Sequence, residues 1–170
     1  SPEDFLERMQ KEYQRFWNED RKSKAKTLGL SPVEVSTLAS IVQKEQAKWE
    51  DEWPTIAGLY LNRLNIGMRL QADPTVKYAL GQPDLRRVLT RHLSIDHPYN
   101  TYQNLGLPPG PICIPLPNAI DAVLNYEAHD YLYMCAKADM SGKHAFAKNL
   151  AEHNRNARAF QRELNRRDIY

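Results

Sequence analysis

Ser31-Pro32-Val33-Glu34 is a complete helix start, and it commits the residues after it to one helix with one buried face. A serine there satisfies an orphan amide, proline suits the first helical position, and a glutamate three residues after the serine closes a capping box. From that start Leu38, Ile41 and Val42 recur at the i, i+3, i+4 spacing of a single face. The next position on the stripe is Glu45, an acid where the pattern calls for a hydrophobe. Gln43 and Lys44 point away from the stripe, so one carboxylate alone is directed inward. Charged residues are seldom fully buried without a partner, so Glu45 is either paired or catalytic.

Burying such a helix needs a core, and the chain can supply one. Its 170 residues fit a single domain, and 42% hydrophobic with 26% charged content is ordinary for a globular protein. A net charge of +2 gives no general argument for nucleic acid or an anionic surface. The short basic run Arg21–Lys26 reads as a solvated helix end. No apolar run approaches the ~20 residues that span a bilayer. The chain opens Ser1-Pro-Glu-Asp4 without a methionine, as a cut or processed chain would. Cys113 and Cys135 fit a disulfide or two free thiols equally well. No zinc motif, phosphate loop or nucleophile elbow is present, so no cofactor or metal is expected.

Taken in order, residues 3–28 carry Phe5, Met9, Tyr13, Phe16 and Trp17 at helical steps, an amphipathic helix. Trp53-Pro54 opens a helix with Ile56, Leu59 and Tyr60 on its stripe, ending near Gly67. Met68–Ala72 reads as a short strand, after which Asp73 would cap a brief helix begun by Pro74. His92 and His97 lack ligand spacing and read as surface residues. Gly106-Leu-Pro-Pro-Gly-Pro-Ile112 cannot be helix or central strand and makes a stiff loop, either a saccharide platform or a structural crossover. Asn118 would cap a further helix, and Tyr131–Ala136 with His144–Phe146 would form a hairpin. A last helix carries Leu150, Ala157, Phe160 and Leu164 on one face. The expected fold is a single α+β domain, several helices packed around a small antiparallel sheet of strands near 68–72, 131–136 and 144–147.

These motifs together resemble the catalytic domain of the YceG-like family of endolytic murein transglycosylases. The resemblance rests on Leu38-Ala-Ser-Ile-Val-x-Lys-Glu45, Asn62-Arg63-Leu64, Ile66-Gly-Met-Arg-Leu-Gln71-x-Asp73-Pro-Thr75-Val-x-Tyr78, Tyr99-Asn100-Thr-Tyr102, the 106–112 loop, and His144-x-Phe146 leading to His153-Asn154. It implies a lytic transglycosylase that cuts peptidoglycan glycan strands internally and without water, leaving 1,6-anhydro-N-acetylmuramic acid ends. It implies Glu45 as the one catalytic residue, acid then base, with a pKa raised from about 4.3 towards 6–7. Many members have glutamate at position 43, where this chain has Gln43. Gln71, Asp73, Thr75, Tyr99, Asn100 and Tyr102 are the implied saccharide-binding residues, with His144 and His153 in supporting roles.

Family members are anchored in the bacterial cytoplasmic (inner) membrane by one N-terminal helix, with the catalytic part on the periplasmic or extracytoplasmic side. Neither that anchor nor the LysM-like subdomain fits in residues 1–30, so the resemblance implies a soluble catalytic fragment. Residues 1–28 would be an N-terminal amphipathic helical segment and 29–170 the catalytic domain. Peptidoglycan is the implied substrate, peptidoglycan synthases are candidate partners, and nucleic acid is not expected. Two alternatives stay open on the sequence: a glycosidase using water with Asp73 as second carboxylate, and a non-catalytic glycan-binding module.

Overall fold

A computed structural model describes residues 1–169 of the chain. In order, it contains α1 (Pro2–Phe16), α2 (Glu19–Leu28), α3 (Pro32–Glu45), α4 (Trp53–Asn65), α5 (Asp73–Ala79), α6 (Pro117–Leu124), β1 (Tyr133–Ala136), β2 (His144–Ala147) and α7 (Leu150–Arg166). The α+β expectation holds, with one correction to the sheet. It has two antiparallel strands, registered Tyr133 to Ala147 and Ala136 to His144, and residues 68–72 pair with neither.

The physical reason lies in Arg63 and Gln71. Arg63 is 7% exposed and donates from Nη1 to the carbonyls of Arg69 (3.1 Å) and Leu70 (3.0 Å). Gln71 sits at φ +50°, a left-handed conformation that no regular strand tolerates. Its amide and that of Ala72 bond to Thr101 instead of to a ladder.

The core is built around α3. Its capping box forms as the sequence predicts, with Glu34 N donating to Ser31 Oγ and Ser31 N to Glu34 Oε1. Val35, Leu38, Ile41 and Val42 are fully buried against α4 and α6. Burial of each such side chain is worth about 1.5–3 kcal/mol. Gln43 does point off the stripe, and its Oε1 accepts the amide of Leu116 just ahead of α6. Helix α6 is opened by Pro117 with Leu116 in the cap position, so Asn118 lies inside the helix rather than capping it. Residues 3–28 form two helices, because Asn18 Oδ1 accepts Arg21 N and starts α2 afresh. Helix α2 is tied to α6 by Arg21 and Asp121 at 2.9 Å. Helix α1 contributes no buried residue, while Trp17 behind it enters the core.

The Asn62-Arg63 pair of α4 seats the segment that leads into the hairpin. Asn62 Nδ2 donates to the carbonyls of His129 (2.8 Å) and Tyr131 (3.0 Å), and Arg63 Nε to that of Leu132 (2.7 Å). Gly58 on the same helix permits this close approach. A Cβ there would lie 2.8 Å from His129 Nε2 and nearer still to the Glu127 carbonyl oxygen. Gly58→Ala is therefore expected to destabilise the domain by about 1–3 kcal/mol, because the clash is with backbone that other bonds hold in place. A urea-unfolding midpoint no lower than that of the wild type would refute this close approach. The 106–112 loop lies against α3, where Ile112 N donates to Ser40 Oγ at 3.0 Å. It supplies no residue to the lining of the cleft described next, and its Ile112 lines a separate small hollow with Lys77 and Tyr78.

Candidate active site

Helix α3 ends on Glu45, and its half-buried carboxyl forms part of a cleft of about 400 Å³. Tyr60, 2% exposed on α4, donates its hydroxyl to Glu45 Oε1 at 2.5 Å. Burial raises the Glu45 pKa to about 7. The Tyr60 hydrogen bond opposes the rise, the Asp73 charge adds to it, and His144 and Lys77 lower it slightly. Desolvation outweighs the rest because an ionised carboxylate loses most when water is excluded. The result is a carboxyl that can both give and take a proton near neutrality.

Asp73 does not cap α5. That helix has no side-chain cap, and Asp73 Oδ1 accepts the Tyr102 hydroxyl at 2.5 Å inside the cleft. Burial, then the bond to Asp73, holds the Tyr102 phenol far above its ordinary pKa, so it stays a donor. Gln71 is exposed on the cleft wall in its left-handed conformation, a strain that adjoining bonds to the 101 loop maintain.

The other three expected saccharide contacts lie elsewhere. Thr75 is fully buried, its hydroxyl donating to the Ala72 carbonyl at 2.7 Å and pairing with Thr101 Oγ1. Asn100 is also fully buried, with Nδ2 on the carbonyls of Leu93 and Ile95 and Oδ1 on Tyr102 N. Tyr99 packs on Tyr78, ring centroids 4.6 Å apart, and does not line the cleft. All three shape the loop that presents Tyr102. His92 and His97 serve loops as well, each accepting a backbone amide at Nδ1.

Several cleft residues carried no such expectation. Tyr60 read as one more apolar position, although a buried tyrosine hydroxyl needs a partner, and that need was a usable signal. Arg63 lines the cleft, its guanidinium 5.3 Å from the centre of the Tyr133 ring. His144 lines it too and is oriented by Glu52, itself 8% exposed. Glu52 Oε2 meets His144 Nδ1 at 2.9 Å and Gln46 Nε2 at 2.8 Å, while Oε1 accepts the His144 amide at 2.9 Å. A carboxylate only accepts, so Nδ1 carries the proton and the ring presents Nε2 elsewhere. His153 stacks on Tyr133, and its Nδ1 is buried with no hydrogen-bond partner. Burial and then the Arg63 charge push its pKa down. Cys113 and Cys135 are both free thiols with pKa values raised by burial. Among the described residues no three His, Cys, Asp or Glu side chains gather as a metal site.

Tyr60→Phe tests the Glu45 pair directly, since phenylalanine refills the buried space and removes the donor. The bond favours ionised Glu45, so losing it moves the Glu45 pKa further up. A step that needs Glu45 protonated then persists to higher pH. An unmoved or acid-shifted alkaline limb in the rate profile would show that the pair does not tune Glu45.

Fold and cleft define an α+β domain with one glutamate of near-neutral pKa in its cleft. The chain belongs to the YceG-like family, whose sequence profile matches residues 1–159. It is 41% identical over 155 residues to the endolytic murein transglycosylase of Bacillus subtilis (strain 168), covering 91% of this chain and 42% of that protein. It is 40% identical over 138 residues to that of Streptococcus pneumoniae serotype 2 (strain D39), covering 79% of this chain and 25% of that protein. A crystal structure of a yceG-like protein from Listeria monocytogenes superposes with a TM-score of 0.72 at 41% identity, over 79% of this chain and 43% of that one. The chain thus spans less than half the length of these relatives. Among the described residues no helix is long and apolar enough to cross a membrane.

Proposed function

We propose that this chain is the catalytic part of an endolytic lytic transglycosylase that cleaves the MurNAc–GlcNAc β-1,4 bond of peptidoglycan. The reading is carried by the Glu45 carboxyl, set in the cleft with its pKa raised to about 7. Glu45 gives its proton to the glycosidic oxygen as the C1–O bond breaks, and the sugar's N-acetyl oxygen takes the anomeric carbon. Glu45, now ionised, removes the proton of the C6 hydroxyl, and O6 displaces the acetamido oxygen to close the 1,6-anhydro ring. One carboxyl serves both steps and ends reprotonated. Gln71, Asp73 and Tyr102 hold the saccharide, and Thr75, Tyr99 and Asn100 hold the loop that carries Tyr102.

Residues 29–170 form the catalytic domain, and residues 1–28 lead into it. The work is done on the extracytoplasmic side of the bacterial inner membrane, beside the peptidoglycan synthases. A second reading is supported by Asp73, whose carboxylate shares the cleft with Glu45. With Asp73 activating water, the same bond would be hydrolysed. Mass spectrometry of products from purified sacculi separates the two, because the hydrolysed end is heavier than the anhydro end by one water. Hydrated ends alone would overturn the transglycosylase reading, and intact sacculi would overturn both.

A further inference from the structure

A second hollow, of about 870 Å³, adjoins the Glu45 cleft and shares Asp73, Cys135 and Ala136 with it. Its walls differ in character. Lys77, Arg86 and Arg87 supply three cations, while Phe160 and Leu164 of α7 supply apolar surface. Among the described residues none of the three cations has a carboxylate within ion-pair distance. Asp73, the acid in this lining, is engaged by Tyr102. Unpaired cations over apolar surface suit a short peptide bearing carboxylates better than a neutral sugar. In murein the charges are distributed in that way. The lactyl carboxyl of muramic acid is amidated by the peptide branch, and the free carboxylates lie out along that branch.

We propose that this second hollow seats the peptide branching from the glycan strand, with Arg86 and Arg87 meeting its carboxylates and Phe160 and Leu164 its apolar side chains. The proposal rests on the reading of the Glu45 cleft as the glycan-cutting site. It makes the hollow a selector of substrate, favouring strands that still carry their peptides.

Binding tests it independently of turnover. Glu45→Gln protein, which leaves the ligand uncut, is titrated with a peptide-bearing glycan oligosaccharide and with the same oligosaccharide stripped by an amidase. The measurement is repeated with Arg86→Ser and Arg87→Ser added. Both arginines are exposed, so the substitutions leave the core intact. The expected result is a five- to tenfold weakening, at about 0.5 kcal/mol or more per exposed charge pair, for the peptide-bearing ligand. That loss shrinks as salt rises. The stripped ligand keeps a lactyl carboxylate beside the sugar and changes less than twofold. Equal losses on both ligands, or none on either, overturn the peptide seat. Failure of the wild type to cut either ligand overturns the reading of Glu45 instead, and leaves the binding difference to be judged by itself.

Discussion

Glu45→Gln is expected to remove at least 10²–10⁴-fold of the cleavage rate and, at pH 8, to make the domain more stable than the wild type. Both effects have one cause. Folding moves the Glu45 pKa from the ordinary 4.5 to about 7 because the ionised form is desolvated. For a carboxyl raised in this way the folded state binds the proton more tightly than the unfolded chain. Its contribution is therefore fully present below pH 4.5 and is lost as pH rises towards about 7. The loss amounts to about 2–3 kcal/mol, the upper figure being a bound because the residue keeps some exposure to the cleft. Glutamine has the same shape, accepts the Tyr60 hydroxyl and never ionises. Denaturant melts at pH 4 should find the two proteins alike, and melts at pH 8 should favour the variant. Equal stability at both pH values would show that Glu45 is not held in the state the proposed chemistry requires.

Glu52→Ala is the largest structural change expected from one substitution, a loss of about 3–5 kcal/mol. Glu52 is where three chain segments meet: Gln46 just after α3, the turn before α4, and His144 at the start of β2. Alanine strips the His144 amide and ring of their acceptor in a buried place. Gln46 Nε2 keeps the Gly142 carbonyl at 3.0 Å and a long contact of 3.5 Å to His144 Nδ1. Each orphaned donor costs about 1–3 kcal/mol. The His144 ring, no longer told which nitrogen carries the proton, should exchange tautomers, and its ¹⁵N shifts should report that. A variant that melts within 1 kcal/mol of the wild type would mean the hub is solvated rather than structural.

The sequence by itself determined where α3 starts, which face it buries and which residue breaks that face. Those follow from spacing within 14 residues of one helix, where geometry is local. It also determined the hairpin and the proline-opened helices, since proline and capping chemistry act on neighbours. Local rules misled at Asp73 and Asn118, each next to a proline, because a capping side chain can be claimed by a stronger distant partner or displaced by one position. They misled again at 68–72, where strand-like residues meet a buried arginine that takes their carbonyls.

Only the tertiary structure decided what surrounds Glu45. Tyr60 lies 15 residues away, Tyr102 lies 29 from Asp73, and His144 lies 92 from Glu52. No pattern within a single element specifies such meetings. They arise when helices pack, and packing also sets the desolvation that raises the Glu45 pKa. An acid on an apolar stripe is visible in the sequence, and the proton it holds near neutral pH is a property of the folded cleft.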